Sequence, residues 1–200
     1  QGHNGPSFTQ APGRQGKKAQ AMNCFVNRQL EATFWSPQQD MTARKLSAIA
    51  ALALDGKATP ALLDSLDIDP VRWPTHSVLD WLTVLEHVQV PGRAQRQQEA
   101  WHILRNRLAY QGTQVGFSTD AQDHWWWLMQ GPDVNAARLL LATIGQAEWD
   151  AERPRLVTGL LARQKSGAWA TTTANLWAGL ALRQFSSTYE RDPVSGDTTA

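Results

Sequence analysis

Cysteine is almost absent from this chain, since Cys24 is the only one among 200 residues. A lone cysteine excludes a disulfide within the chain and a cysteine-rich metal site, although it carries no information on the redox compartment. Long apolar runs are absent as well, because none reaches the roughly 18 residues needed to span a bilayer. We therefore expect no direct insertion of these residues into a membrane.

A surplus of one charge is also lacking. The 19 Lys and Arg residues face 18 Asp and Glu residues, which gives a formal net charge of +1. This balance does not favour a polyelectrolyte partner, so nucleic-acid binding is not expected. The basic cluster from Arg14 to Lys18 lies in a leader rich in Gly, Pro and Gln, and we interpret it as a solvated segment.

The common catalytic motifs are missing too. The chain contains no HExxH, GxSxG, P-loop or GxGxxG pattern, so zinc hydrolysis, serine acyl transfer and nucleotide binding have no motif to support them. The histidines of the helical region lie on separate predicted elements without metal-ligand spacing: His76, His87, His102 and His124. We predict no metal, no cofactor and no catalytic residue.

Tryptophan, in contrast, is abundant, with 10 residues against 2 Tyr and 5 Phe. Its large apolar area and single donor suit big cores and ligand-facing grooves. Three of them are consecutive, Trp125, Trp126 and Trp127, and three neighbouring side chains cannot all point to one side of a helix. At least one should be exposed, so these residues are the candidate interface or ligand platform.

The apolar pattern is helical from about Thr42 onward. The predicted helices and their caps are 42–56 with Thr42 as N-cap and Gly56 at C′, a short helix from Pro60, 77–88 capped by Ser77, 94–112, 133–145 capped by Asp133, 151–167, and a last helix from about Thr171. One short stretch, "GTQVGFST" at 112–119, alternates like a strand. The fold class is therefore predicted to be all-α.

The predicted helices are of two kinds. Segments 45–54, 135–144 and 173–182 are apolar on nearly every side, which is typical of helices buried all round. Segments 94–110 and 152–163 carry one apolar stripe each and should face water on the other side. The stripe residues are Trp101, Leu104 and Leu108 in the first, and Leu156, Leu160 and Leu161 in the second.

Glycines that end helices recur at nearly equal intervals, at Gly56, Gly112 and Gly167. Such spacing indicates a repeated helical hairpin. Buried and exposed helices that alternate in repeated hairpins predict an α/α toroid, in which an outer ring of helices sheathes an inner one. The number of hairpins in this sequence predicts a partial toroid.

Residues 1–20 lack periodicity and are interpreted as a flexible leader. They begin with Gln1-Gly2-His3, which resembles the remnant of a cleavable purification tag. We assign residues 21–185 to the toroid and 186–200 to a tail.

Paired carboxylates leave an enzymatic alternative open. Acids occur in "DSLDIDP" (Asp64, Asp67 and Asp69) and in "STDAQDHWWWLM" (Asp120 and Asp123). A toroid with acids beside aromatic faces is typical of a glycosidase or a terpene-cyclase-like enzyme, in which one acid protonates and aromatic faces stabilise positive charge. A helix N-cap for Asp120, and a turn for Asp67 and Asp69, explain the same residues structurally.

The stretch "RQKSGAW" at 163–169 resembles the glutamine–tryptophan repeat that braces helices in terpene cyclases. Gln164 and Trp169 match, but two residues separate Gln164 from Gly167 where that repeat has three. We expect Trp169 to plug the gap between two hairpins, and the threonines after it to cap the next helix.

Residues 155–200, which contain "GAWATTTAN", resemble the end of the thioester-domain region of bacterial alpha-2-macroglobulin-like proteins. Residues 112–144 resemble the preceding hairpin of that domain, and "ARKLSAIAALALDGK" fits an earlier one loosely. The residues that we expect to be structural in this motif are Gln164, Gly167, Trp169, Thr172, Asn175 and Trp177.

The resemblance implies an α/α toroid within a large periplasmic, secreted or membrane-anchored protease inhibitor. Such proteins trap an attacking protease, and many form a thioester from a Cys-x-Glu-Gln motif. Cys24 is followed by Phe25, Val26 and Asn27, so we expect no thioester within these residues.

The partners that the resemblance implies are target proteases, through the whole protein, and neighbouring β-domains of the same chain. Trp125–Trp127 and the tail from Ser186 to Ala200, which would lead to a following β-domain, are the expected contacts. A helical-repeat scaffold without inhibitory function is a third interpretation.

Overall fold

The computed structural model describes the backbone of residues 37–190 and the side chains of residues 41–190. Clustering of contacts divides the chain into two units, 1–41 and 42–200. The first unit is described only over the helical backbone from Pro37 onward. Cys24, the leader 1–20 and residues 191–200 of the predicted tail lie outside the described residues.

The described chain is mostly helical, which confirms the all-α prediction apart from one two-stranded antiparallel sheet. The helices are α1 (Pro37–Leu54), α2 (Thr75–His87), α3 (Arg93–Asn106), α4 (Pro132–Thr143), α5 (Arg153–Ala162) and α6 (Thr172–Tyr189), and the strands are β1 (Leu108–Gln111) and β2 (Gln114–Phe117). Short 3-10 helices span Pro60–Ser65, Trp126–Leu128 and Ala147–Trp149. None of the helices between residues 37 and 190 is long and apolar enough to cross a membrane.

Helices α2 and α3 form an antiparallel hairpin. Near the end of α2, the side-chain amide of Gln97 donates to the Leu85 carbonyl at 3.3 Å. Just beyond the other end of α3, the Arg107 guanidinium donates to the carbonyls of Val71 (3.1 Å) and Trp73 (2.8 Å), which precede α2. The hairpin is therefore held at both ends.

Helices α4 and α5 repeat this arrangement. Arg153, at the start of α5, donates to the carbonyls of Thr143 (2.9 Å) and Gln146 (2.6 Å) after α4. Arg163, after α5, reaches back to Asp133 in the first turn of α4 at 3.4 Å. Arg107 and Arg163 thus occupy equivalent positions in two successive hairpins.

Helices α4 and α6 run in the same direction. Contacts ascend together along both chains, from Asp133 with the Ala170 amide (3.4 Å) to Arg138 over the Trp177 ring (5.4 Å). At the far end the Tyr189 hydroxyl accepts a hydrogen bond from the Gly145 amide at 2.9 Å.

Helices α1 and α2 share that direction. The Ser47 hydroxyl donates to Asp80 at 2.5 Å, and Asp80 pairs with Arg138 at 2.6 Å. The ends of these helices again meet, because Leu54, Glu86 and Ile144 line one cavity. The chain thus places α1, α2, α4 and α6 in parallel, whereas α3 and α5 run the other way.

Burial only partly follows the predicted division into inner and outer helices. Segment 135–144 is buried on most sides as predicted, with Leu140 fully buried. Segment 173–182 is not: Leu176 is 72% exposed and Leu180 37% exposed, so all-round burial was wrong there. The α6 side chains that are buried belong to one alanine stripe, Ala174, Ala178 and Ala181. Small side chains on that stripe let α6 approach its neighbours closely, while Leu176 and Leu180 face outward and Leu182 packs against the core.

Segment 45–54 also has only one buried stripe, because Leu52 and Leu54 are exposed. The most completely buried helix is α2, with every residue from Thr75 to Leu82 buried, although it was not among the helices predicted to be inside. Its polar residues, among them His76 and Asp80, favour an exposed helix, so the sequence pattern does not predict that α2 is buried.

The outer segments face water on one side as predicted, with two corrections. Leu108 lies in β1, because α3 ends at Asn106 and the predicted helix to Gly112 was too long. Gly112, at φ +59°, lies in the two-residue turn between the strands, where a positive φ suits glycine. The predicted strand is present at Gln114–Phe117. Leu161 is exposed, so it does not belong to the buried stripe.

The helix caps were predicted with mixed success. Thr171 is the N-cap of α6, and its hydroxyl accepts from the Ala174 amide at 3.1 Å. Thr42, Ser77 and Asp133 are not caps, because their helices begin earlier, at Pro37, Thr75 and Pro132. Proline can open a helix because its missing N–H would be unpaired in the first turn anyway.

Candidate functional site

One candidate site is a groove between the segment 120–134 and the start of α6. Its volume is about 920 Å³. One wall comes from the loop before α4 and the other from the turn between α5 and α6. Its lining includes Asp120, Trp126, Met129, Asp133, Arg163, Lys165, Trp169 and Thr172.

The three consecutive tryptophans have different surroundings. Trp125 is half-buried, with its ring 5.3 Å from the ring of buried His76 and 5.3 Å from that of Trp127. Trp126 is 64% exposed and touches Trp127 edge-on at 5.9 Å. Met129, at φ +55°, is 71% exposed beside it. Trp126 and Met129 therefore form an exposed apolar rim on the groove, while Trp125 and Trp127 support the loop.

The opposite wall is built by residues of the sequence motif. The indole N–H of Trp169 donates to the Leu160 carbonyl at 2.9 Å. The Asn175 amide accepts from the Trp169 backbone N–H (3.2 Å) and donates to the carbonyls of Trp169 (2.9 Å) and Thr171 (2.7 Å). Trp169 and Asn175 together join the end of α5 to the start of α6.

A tight turn brings this wall to the groove. Lys165 and Ala168 pair across it, and the two residues between them, Ser166 and Gly167, have φ values of +54° and +81°. Two consecutive positive φ values identify the type I′ geometry, in which glycine is favoured. Gln164 precedes the turn and does not line the groove, whereas Thr172 does. Trp177 lies elsewhere, over Arg138.

Charge in the groove is partly compensated. Arg163 forms ion pairs with Asp120 and with Asp133, and Asp133 also accepts from the Ala170 amide at 3.4 Å. Burial raises the pKa of Asp120, and the hydrogen bond from Arg163 offsets part of that rise. Lys165 is exposed, and within residues 41–190 it makes no ion pair. The groove therefore offers one available cation next to an apolar rim.

The acids of the enzymatic alternative do not all line the groove, although Asp123 lies close enough to Asp120 to help raise its pKa. Asp123 is buried and points away from the groove, accepting from the Thr75 amide at 3.4 Å and from the Thr119 hydroxyl at 2.7 Å. Asp69 pairs with Arg72 at 2.9 Å on the surface. Asp64 and Asp67 are exposed and do not line the groove.

The four described histidines lie apart, but His76 and His87 share helix α2, where separate elements were predicted. His76 is fully buried, and burial lowers its pKa to about 4 despite the nearby carboxylates of Asp80 and Asp123. His87 contacts the Thr83 carbonyl at 2.9 Å, His102 contacts Asn106, and His124 lines the groove. Among the described residues no group of His, Cys, Asp and Glu is placed to hold a metal ion.

Sequence reasoning identified Trp126 but missed Met129, Arg163 and Lys165. Arg163 could have been found from the repeat, because it follows α5 as Arg107 follows α3. Comparison of the chain with family models, curated proteins and solved structures gives no match.

Proposed function

We propose that this chain is a non-enzymatic protein-binding domain, the partial α/α toroid of a bacterial macroglobulin-like protease inhibitor, and that it docks a neighbouring β-domain in the groove. The observation that carries this proposal is the exposed rim of Trp126 and Met129 above a groove of about 920 Å³. The exported location and the protease target come only from the family resemblance.

The rim has the chemistry of a protein interface. Exposed aromatic side chains in a concave surface are frequent sources of binding energy, and methionine adapts its shape to different partners. Large apolar side chains grouped beside a groove usually mark an interaction site. The exposure of Trp126 and Met129 costs stability in the free chain, and a partner would remove that cost.

The directions of the helices support the toroid. Parallel α1, α2, α4 and α6, with α3 and α5 antiparallel to them, match an inner layer joined by outer helices. The outward-facing leucines Leu176 and Leu180 are then the face of α6 on which a further hairpin would pack.

The acids and bases that line the groove balance in number, and Lys165 is the cation among them that an acidic segment could pair with. Lys165 is available, and the amides of Thr172 and Thr173 open the first turn of α6, where a partial positive charge resides. A β-domain loop with an apolar side chain followed by Asp or Glu would place the first against Trp126 and the second near Lys165.

Selection of short displayed peptides on the chain tests this function. We expect enriched sequences with an apolar residue next to an acid. Their affinity should fall at least tenfold in the double variant Trp126→Ser, Met129→Ser and remain unchanged in Leu176→Ser, which removes an equally exposed side chain on α6. Equal affinities in both variants would reject the groove as the docking site.

The family assignment has a separate test in the coding sequence around these residues. A much longer chain with β-domains and an export signal is expected. A chain of roughly 300–600 residues would reject the inhibitor and favour the toroid enzyme.

A further inference from the structure

A group of buried polar side chains lies in the first turns of helices α2 and α4. His76 and Asn135 are fully buried, and Ser77 is 1% exposed. Both ring nitrogens of His76, the Ser77 hydroxyl, and the side-chain oxygen and nitrogen of Asn135 make no hydrogen bond with any residue of the described range 41–190. Nearly all buried polar atoms in folded proteins have a hydrogen-bond partner, so such a group on two neighbouring helices requires a physical explanation.

The ion pair of Asp80 and Arg138 shows how these side chains are arranged. Helices α2 and α4 run in parallel and pack together, and the Asp80 carboxylate contacts the Arg138 guanidinium at 2.6 Å. His76 and Ser77 precede Asp80 by about one helical turn, and Asn135 precedes Arg138 by about one turn. The three unpaired side chains therefore lie at the same level of the α2–α4 interface.

The loop before α4 covers this interface. The ring of Trp125 lies 5.3 Å from the ring of His76. The backbone amide of Gln130 donates to the Trp125 carbonyl at 3.1 Å, and the backbone amide of Asn135 donates to the Gly131 carbonyl at 2.9 Å. None of the three unpaired side chains lines the groove, so a molecule bound between them is separate from any partner that the groove binds.

The chemistry of the three side chains suits a small neutral molecule. Burial lowers the pKa of His76 to about 4, so its ring is neutral at pH 7 and offers one donor and one acceptor. The hydroxyl and the amide are uncharged as well and offer both donors and acceptors. The neighbouring carboxylates are already used, because Asp80 pairs with Arg138 and Asp123 accepts two hydrogen bonds. An ion would therefore be buried here without a free counter-charge, which is costly.

We propose that His76, Ser77 and Asn135 form an internal water-binding site that joins α2 to α4. Water is both donor and acceptor, and it is small enough to lie between side chains that do not reach each other. The two ring nitrogens of His76 point in different directions, so the site needs more than one water molecule. Buried waters that bond otherwise unpaired polar groups are a regular part of protein structures. The proposal does not depend on the function assigned to the groove.

Nuclear Overhauser effects between water and the His76 ring test the site in the unaltered chain. At pH 7 we expect magnetisation transfer from water to the carbon-bound ring hydrogens of His76, with the sign of a long-lived water molecule. The exposed ring of His102 is the control, because surface water exchanges too fast to give that sign. The Ser77 hydroxyl exchanges with water and could relay the signal, so the transfer must persist in Ser77→Ala. Absence of the transfer to His76, or its loss in Ser77→Ala, would overturn the proposal.

Asn135→Leu distinguishes a hydrated amide from a bare one. If the Asn135 side chain has no partner, an apolar side chain of similar size removes a desolvation cost and stabilises the fold. If it binds water, the replacement leaves that water without a partner. We expect the second result, with the urea midpoint lowered by about 0.5 M or more, whereas Asn106→Leu at the exposed end of α3 should change it little. A midpoint that is unchanged or raised in Asn135→Leu would reject the water site.

Discussion

Replacement of Gly159 by alanine tests how the β-hairpin packs on α5. Gly159 is buried in the middle of α5. A Cβ atom there would overlap the carbonyl oxygen of Val115 in β2 and lie 3.1 Å from the backbone carbon and nitrogen of that residue. These are backbone atoms, so no side-chain rotation can relieve the overlap, and the strand or the helix must move.

The sign of the effect follows from two opposing terms. Alanine in a helix interior is intrinsically better than glycine by about 1 kcal/mol. Overpacking of a close contact costs typically about 1–3 kcal/mol and more where the backbone must shift. Because one backbone atom of Val115 overlaps and two more are in tight contact, we expect the upper part of that range. Gly159→Ala should therefore lower the free energy of unfolding by about 2 kcal/mol net.

Gly179→Ala is the matched control. Gly179 also lies inside a helix, α6, but a Cβ atom there meets no other atom within 4 Å. The control should therefore raise the free energy of unfolding by up to about 1 kcal/mol. Urea unfolding followed by circular dichroism measures both variants. Equal stability of the two variants would show that β2 does not lie against α5.

Three further predictions concern single residues. The pKa of His76 is about 4 in the folded chain against 6.5 for the free side chain, so the unfolded chain binds the proton first as the pH falls. The free energy of unfolding should therefore fall by about 3 kcal/mol between pH 6.5 and pH 4. Urea unfolding should show this fall in His102→Gln but not in His76→Gln, and the same pH dependence in both variants would refute the prediction. Trp169→Ala removes a half-buried ring and its hydrogen bond to the Leu160 carbonyl, and should lower the free energy of unfolding by about 2–3 kcal/mol in the same assay. A decrease below about 1 kcal/mol would contradict the interpretation that Trp169 joins α5 to α6. Cys24 should titrate fully with a thiol reagent in the denatured chain, and methylamine should add no mass; thiol signal that appears only after amine treatment would reveal a thioester.

Local patterns predicted those parts of the fold that depend on neighbouring residues. Thr171 was recognisable as a cap because a hydroxyl before a helix satisfies its first amides, and α4 was recognisable as buried from its continuous apolar surface. The strand β1 was missed because "LAYQ" continues the helical pattern of α3, and only the turn at Gly112 returns the chain to pair with β2.

Long-range pairing was beyond sequence reasoning. Asp80 and Arg138 are 58 residues apart and meet only because two hairpins place α2 beside α4. An acid inside a helix predicts an exposed face, so the central position of α2 was not expected. All-round burial of α6 was predicted wrongly, because an apolar composition cannot say whether the described chain supplies an element that covers Leu176 and Leu180.

The candidate site could likewise be predicted from the sequence only in part. Steric reasoning from three consecutive indoles predicted that at least one would be exposed, and Trp126 is. The groove itself needs Lys165 and Thr172, which reach it through the turn at Gly167 and the cap at Thr171.

The most direct test of the account is nuclear magnetic resonance of the indole N–H groups in the presence of a selected acidic peptide. The chain has 10 tryptophans, and Trp126→Phe identifies the signal of Trp126. We predict that the peptide shifts the signals of Trp126 and Trp169, which line the groove, and leaves those of buried Trp81 and Trp149 unchanged. A bound peptide that leaves the Trp126 signal in place would contradict the proposal that this groove docks a protein partner.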